Sequence, residues 1–310
     1  MDMKAERVAV KAEMSSLLMR RHIAYAVLIA VSVAVCARSV MALTVYALHH
    51  ESSSQILAIP FVTLFLIWMG RKRIFEATSY SIAPGIATIL AGAVLFWVGQ
   101  RDSSGFAGNE ALCLSALALV AIWTGGFLLI YGRKAMHSAA FPLLFLLLTI
   151  PIPDPVLDRV IYWLQQGSTE ITYLIFRSVG VPVLRKGFVL AVPGVTIEVA
   201  KECSSIRSSL ALVITCLLAA HLYLRTWWKG LLLVLLSLPL SVVKNGIRIA
   251  TLTLLSVYVN PDFLRGSLHR DGGFVFFFLA LLMLWPVFVA LEKSERGRIT
   301  AARSNAVTAG

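Results

Sequence analysis

Few side chains in this sequence can do covalent chemistry, and Cys203 is the first of them. It stands in Glu202-Cys-Ser-Ser-Ile-Arg-Ser-Ser209, where a strand-patterned stretch gives way to an apolar run. Ser204 and Ser205 suit a helix start, and a helix N-terminus favours a thiolate. Glu202 works against that anion. Taken alone, Cys203 also fits a small residue at a helix start. Cys36, Cys113 and Cys216 lie inside apolar stretches and read as packing residues. Arg248 is the second candidate, in Lys244-Asn-Gly-Ile-Arg-Ile249. A charge within the bilayer costs roughly 2.5–3.5 kcal/mol on insertion scales, so it faces protein or water. Ser241, Lys244, Asn245, Arg248 and Thr251 recur at helical spacing and define a polar stripe. An Arg that only pairs with a carboxylate to fix packing is the plainer reading, and Lys244 reads as supportive. His269 is the third, in Gly266-Ser-Leu-His-Arg-Asp-Gly-Gly-Phe274; alone, it fits a solvated interfacial histidine.

Together the three residues support one chemistry. A Cys–His pair supplies a thiolate nucleophile and a proton carrier. A guanidinium in a partly dry site stabilises the oxyanion of a tetrahedral intermediate or positions a carbonyl. Acyl transfer through a thioester is the reaction such a trio serves. Arg207, one turn after Cys203, competes with Arg248 for the oxyanion role; Ser204 and Asn245 are supporting residues. Other chemistries find little footing. Four cysteines without a C-x-x-C pair exclude a disulfide framework or a thiolate metal site. The six histidines include no H-E-x-x-H. No cofactor or metal is expected.

The elements that hold these residues must be membrane helices. Of 310 residues, 58 % are hydrophobic and only 14 % charged, against roughly 25 % charged in ordinary soluble domains. The net charge of +12 belongs to a positive-inside membrane protein and calls for no nucleic acid. A span needs about 20 apolar residues. Eight are read at 23–46, 53–70, 82–99, 110–132, 137–153, 206–224, 230–257 and 272–291, the fifth being short and ending in Pro151-Ile-Pro153. With the N-terminus inside, 16 of the 28 Lys and Arg residues fall on the cytoplasmic side, 9 outside and 3 within spans. That bias predicts N-in and C-in, in the plasma (inner) membrane with the candidate residues toward the outer face. The outer stretch 154–205 divides in two. Val156, Val160, Ile161, Trp163, Leu164, Ile171 and Leu174 lie at the spacing of an amphipathic interfacial helix. From Val181 to Ala200, β-branched residues punctuated by Gly187 and Pro193-Gly194 predict two or three short strands. The expected fold is an all-α polytopic membrane protein, one domain over 1–310. Residues 1–22 form a cytoplasmic segment and 292–310 a disordered cytoplasmic tail.

The motifs resemble those of the exosortase/archaeosortase family. Cys203-Ser-Ser-Ile-Arg-Ser208 is similar to the family's Cys-Ser-(Gly or Ser)-hydrophobic-Arg-Ser segment. Asn245-Gly-Ile-Arg-Ile249 is similar to its Asn-x-x-Arg-hydrophobic segment, and His269 before Gly272-Gly-Phe274 to its downstream histidine. Ser205 stands where many members have Gly, and Glu202 where many have a small residue. The resemblance covers about 140–291. It implies a cysteine peptidase or transpeptidase, sortase-like in chemistry, linked with exopolysaccharide production. Its implied partners are the lipid bilayer and exported proteins ending in a Pro-Glu-Pro-like tag, a transmembrane helix and a basic tail. The cleaved protein would pass to an unidentified surface acceptor. Two other classes remain open on the residues alone. One is a transporter or lipid-linked glycan handler that binds an anionic headgroup on the Lys244/Arg248 stripe; it would tolerate Cys203→Ser. The other is an assembly subunit without chemistry, which would tolerate loss of all three residues.

Overall fold

Long apolar runs in lipid must satisfy their backbone polar groups internally, and the helix does so within one segment. The structure, a computed structural model, describes residues 3–101, 109–200, 206–264 and 273–308, and almost every element in them is helical. Among the described residues, seven helices are long and apolar enough to cross a membrane: Glu13–Val35, Ser52–Ile74, Ile82–Arg101, Glu110–Ser138, Ile206–Tyr223, Trp227–Tyr258 and Gly273–Arg296. The count becomes eight if the interrupted pair Ala140–Thr149 and Asp154–Ser178 is one span. The chain is an all-α polytopic membrane protein with one small sheet, divided into two compact units, Met1–Asp154 and Pro155–Gly310.

The first unit holds α1 (Met3–Val35), α2 (Ala37–His49), α3 (Ile59–Ile74), α4 (Ile82–Arg101), α5 (Glu110–Ser138) and α6 (Ala140–Phe145). In lipid, helices associate through close packing of small residues. Gly85, Gly92 and Gly99, one heptad apart on α4, meet α5 in this way; a Cβ on Gly85 would sit 2.6 Å from the Leu129 Cα. Two span boundaries differ from the sequence reading. The first span is Glu13–Val35 rather than 23–46, because the helix breaks at Cys36 and restarts as the 13-residue α2. Arg21, within this span, donates to the Ile130 carbonyl and stacks on Tyr80. The fifth span, 137–153, is not a continuous helix. α6 passes into a short 3-10 turn, Leu146–Thr149, and the chain then runs irregularly to Asp154. Pro151 and Pro153 have no N–H to continue a helix. Instead Asn109, buried, donates from Nδ2 to the Ile152 carbonyl at 2.9 Å. It also exchanges hydrogen bonds with Asp154, its backbone N–H to Asp154 Oδ2 and the Asp154 N–H to its Oδ1, both 3.0 Å.

The second unit begins with α7 (Asp154–Ser178) and an antiparallel sheet of β1 (Leu184–Lys186), β2 (Val189–Val192) and β3 (Val195–Glu198), as the strand pattern predicts. The sheet turns at Gly187 and Gly194, both in the left-handed region. Phe176, Leu190, Val192, Ile197 and Ala250 form one core joining α7, the sheet and the next long helix but one. Three helices follow: α8 (Ile206–Tyr223), α9 (Trp227–Tyr258) and α10 (Gly273–Thr308). α10 continues as helix through the stretch read as a tail. A three-residue connection makes α8 and α9 antiparallel. α10 is antiparallel to α9 as well, since its Glu295 carboxylate accepts the Arg225 and Thr226 N–H groups, each at 2.8 Å. Thr226 is the N-cap of α9, so the carboxylate satisfies an orphan donor at the helix start and binds the residue before it as well. Lys229, buried, donates to Ser294 Oγ at 3.2 Å and stands 4.0 Å from Glu295. Leu212, Cys216, Leu233, Ala280 and Leu284 fill the space between the three helices.

Candidate functional site

α7 was read from sequence by its apolar residues, and most of them lie on one face, Ile161 and Ile171 turning toward the buried side. In the structure that face points outward: Val156, Trp163 and Leu174 are exposed, as lipid-facing residues are. The opposite face carries Gln165, Ser168, Thr169 and Thr172, at i, i+3, i+4 and i+7, and all four are buried. Gln165 Nε2 donates to the Val199 carbonyl at 2.8 Å, tying α7 to the residue that follows β3. Ser168 Oγ accepts from Asn245 Nδ2 at 2.9 Å, tying α7 to α9. Thr172 Oγ1 donates at 3.3 Å to the carbonyl of Gly246. The helices approach so closely here that a Cβ on Gly246 would lie 2.4 Å from Ile171 Cγ2.

The polar stripe of α9 therefore faces protein, not lipid. Its Ser241, Lys244 and Asn245 are each 1 % exposed, and Arg248 is half-buried. Neighbouring residues of the stripe grip different helices. Asn245 holds α7, and Lys244 donates from Nζ to Ser208 Oγ in the first turn of α8. That contact sets the register of the antiparallel pair α8 and α9. With Lys244 level with Ser208, Arg248 lies one turn further, about 6 Å, in the direction of the start of α8 at Ile206. Arg207, in the same first turn of α8, is exposed.

Antiparallel packing also places the start of α8 and the start of α10 on the same side of the three-helix group, while α9 runs on past Lys244 and Arg248 to Tyr258. Cys203 and Ser204 precede α8 in the chain, and His269 precedes α10; all three lie outside the described residues. The remaining cysteines, Cys36, Cys113 and Cys216, are buried, Cys113 donating to the Pro151 carbonyl at 3.2 Å. Among the described residues no group of three His, Cys, Asp or Glu side chains is arranged to hold a metal.

The model of a protein family described as transmembrane exosortase matches residues 44–286. The chain belongs to the transmembrane exosortase family. No curated protein and no solved structure matches it. The matched stretch runs from within α2 to within α10 and takes in Cys203, Arg248 and His269. As an exosortase-family protein it is an integral membrane protein with a transpeptidase-type role in sorting, acting on exported proteins that carry C-terminal sorting signals. Sequence reasoning missed two parts of this exosortase's polar interior. The buried Gln165–Thr172 face had a signal, four uncharged polar residues at helical spacing, masked by the stronger apolar pattern on the same helix. The Lys244–Ser208 contact had none, because its partners lie 36 residues apart on separate helices.

Proposed function

We propose that this exosortase is a cysteine-type transpeptidase that clips C-terminal sorting signals at the outer face of the plasma (inner) membrane. Residues 1–310 act as one functional membrane domain, with both termini cytoplasmic. The Cys203 thiolate attacks the scissile carbonyl to give a tetrahedral oxyanion, held by the Arg248 guanidinium. Collapse of that intermediate expels the amine of the C-terminal fragment, which takes a proton from the His269 imidazolium, and leaves the client as a thioester. An acceptor nucleophile at the cell surface then attacks the thioester, its proton passing to His269 and the thiolate leaving. Asn245 and Ser204 support the site. Arg207 competes with Arg248, and the half-buried setting of Arg248 favours Arg248, because a donor shielded from water is worth more to an oxyanion. Clients carrying a Pro-Glu-Pro-like tag, and a place in exopolysaccharide production, are what the family relationship suggests.

The observation that carries this reading is the register of α8 and α9. It sets Arg248 beyond Ser208, toward the start of α8, which Cys203 precedes in sequence. Replacing Cys203 by alanine is expected to abolish processing of a tagged client, while alanine at Cys36, Cys113 or Cys216 leaves it in place. A water-soluble thiol reagent is expected to label Cys203 and block turnover. Full processing by a stably inserted Cys203→Ala protein would overturn the thioester mechanism.

A further inference from the structure

The small sheet has two outer strands, and they are built differently. β1, at one edge, is three residues long and exposes Leu184, Arg185 and Lys186. Short length and basic side chains are the usual guards against another chain adding to a sheet. β3, at the other edge, reads Val195-Thr-Ile-Glu198 and carries neither Lys nor Pro. Its register decides which backbone groups are already used. The turn Pro193-Gly194 makes Val192 and Val195 a hydrogen-bonded pair, and bonded pairs then alternate along the strand. Val195 and Ile197 bond to β2, as does Val199, whose N–H reaches the Phe188 carbonyl at 3.0 Å. Thr196 and Glu198 direct their N–H and C=O groups to the opposite side, where no strand pairs with β3 among the described residues. The Glu198 carbonyl accepts from the Ala200 N–H at 3.0 Å. That leaves the Thr196 N–H and C=O and the Glu198 N–H open to a further strand, on two residues that are both exposed.

The place of this edge ties it to the reaction. Ile197 shares a core with Ala250, two residues past Arg248 on α9. Cys203 follows Glu198 by five residues, which span at most about 17 Å when extended. We propose that the free edge of β3 is a docking strand for the client: an extended segment of the client polypeptide pairs through its main chain with Thr196 and Glu198, and the neighbouring scissile bond is thereby presented to Cys203. The proposal rests on the processing reaction described above and adds how the client is gripped. Strand addition of this kind draws its affinity from main-chain hydrogen bonds. A four-residue edge is too small a surface to join two copies of this chain stably, whereas it matches the length of a short peptide segment. Only alternate client residues turn their N–H and C=O groups toward β3, and those between turn theirs away.

The test reads affinity and processing with the full-length protein in bilayers. The probe is a synthetic peptide covering the cleavage point of a client that the wild type cleaves, with a methyl group placed on one backbone nitrogen at a time. Binding is measured in the Cys203→Ala background and cleavage with Cys203 intact. Methylation is expected to weaken binding about tenfold at every second residue of the docked segment, the scale of a lost hydrogen bond, and to change it little at the residues between. Thr196→Pro removes an outward N–H and no bond to β2, and proline is tolerated on an edge strand. It is expected to weaken binding and raise KM by about tenfold. Arg185→Pro makes the same change on β1 and is expected to leave both near wild type. If Thr196→Pro fails to insert, Glu198→Pro, which removes the next outward N–H, takes its place. Losses without alternation along the peptide, or no losses, overturn the proposal. So does equal weakening by Arg185→Pro. A changed oligomeric state in Thr196→Pro with unaltered peptide affinity also overturns it, since the edge would then join copies of the chain. Failure of the methyl scan while Cys203 is still required for processing removes the docking strand alone. Alternation in binding alongside full processing by Cys203→Ala keeps the docking strand and removes the thioester reading.

Discussion

Arg248 and Arg207 offer the same functional group to one reaction from different surroundings. Arg207 is exposed in the first turn of α8; Arg248 is half-buried on a stripe whose other members face protein. A guanidinium shielded from water stabilises a developing oxyanion more strongly than a solvated one, and its planar fork is not reproduced by an ammonium. Arg248→Lys is therefore expected to reduce single-turnover cleavage of a tagged client by about 10²–10³, equivalent to roughly 2.7–4 kcal/mol, and Arg207→Lys by much less. The measurement needs matched expression of the two proteins. Near-normal cleavage by Arg248→Lys with collapse of Arg207→Lys would transfer the role to Arg207. Collapse of both would indicate a shared clamp. Both arginines were legible in the sequence, because a charged residue in an apolar run stands out by composition alone. What distinguishes them is burial, and burial depends on which neighbours fold against each helix.

At the scale of the element, the interface between α7 and α9 shows how the site's helix is held in rotation. Gly246 lets Ile171 approach, Asn245 bonds Ser168, and the Gly246 carbonyl accepts from Thr172. A Cβ at Gly246 would stand 2.6 Å from Ile171 Cβ, too near for a methyl group without moving a helix. Gly246→Ala is expected to destabilise the protein by about 1–3 kcal/mol, the usual cost of overpacking, and to lower client processing as Arg248 shifts with its helix. Thermal unfolding in detergent and a processing assay would check both. A variant as stable and active as the wild type would show that α7 and α9 separate without cost. The helical character of both elements was readable from spacing. The breaks at Cys36 and after Thr149 were less so: the first carries no Gly or Pro, and hydropathy around the second runs on up to the prolines.

At the scale of the whole molecule, the positive-inside bias predicts that reporter fusions after Lys229 lie in the cytoplasm and fusions near Gly194 in the outer compartment. A cytoplasmic reporter at Gly194 would put the proposed site on the wrong side for exported clients and end that reading. A further fusion after Arg73 settles parity, since seven spans separate the termini and eight keep them together. Composition and hydropathy were enough to establish a polytopic helical membrane protein, and residue type and spacing offered Cys203, Arg248 and His269 as candidates. These are local properties: a span is recognised by its own apolar length, and a motif by its own neighbours. Only the tertiary structure decided that the polar face of α7 turns inward, that Lys244 reaches Ser208, and that Glu295 caps α9 from another helix. Each of those contacts joins residues far apart in the chain. Each forms because a buried polar group must find a partner, and the sequence does not say which helix will supply it.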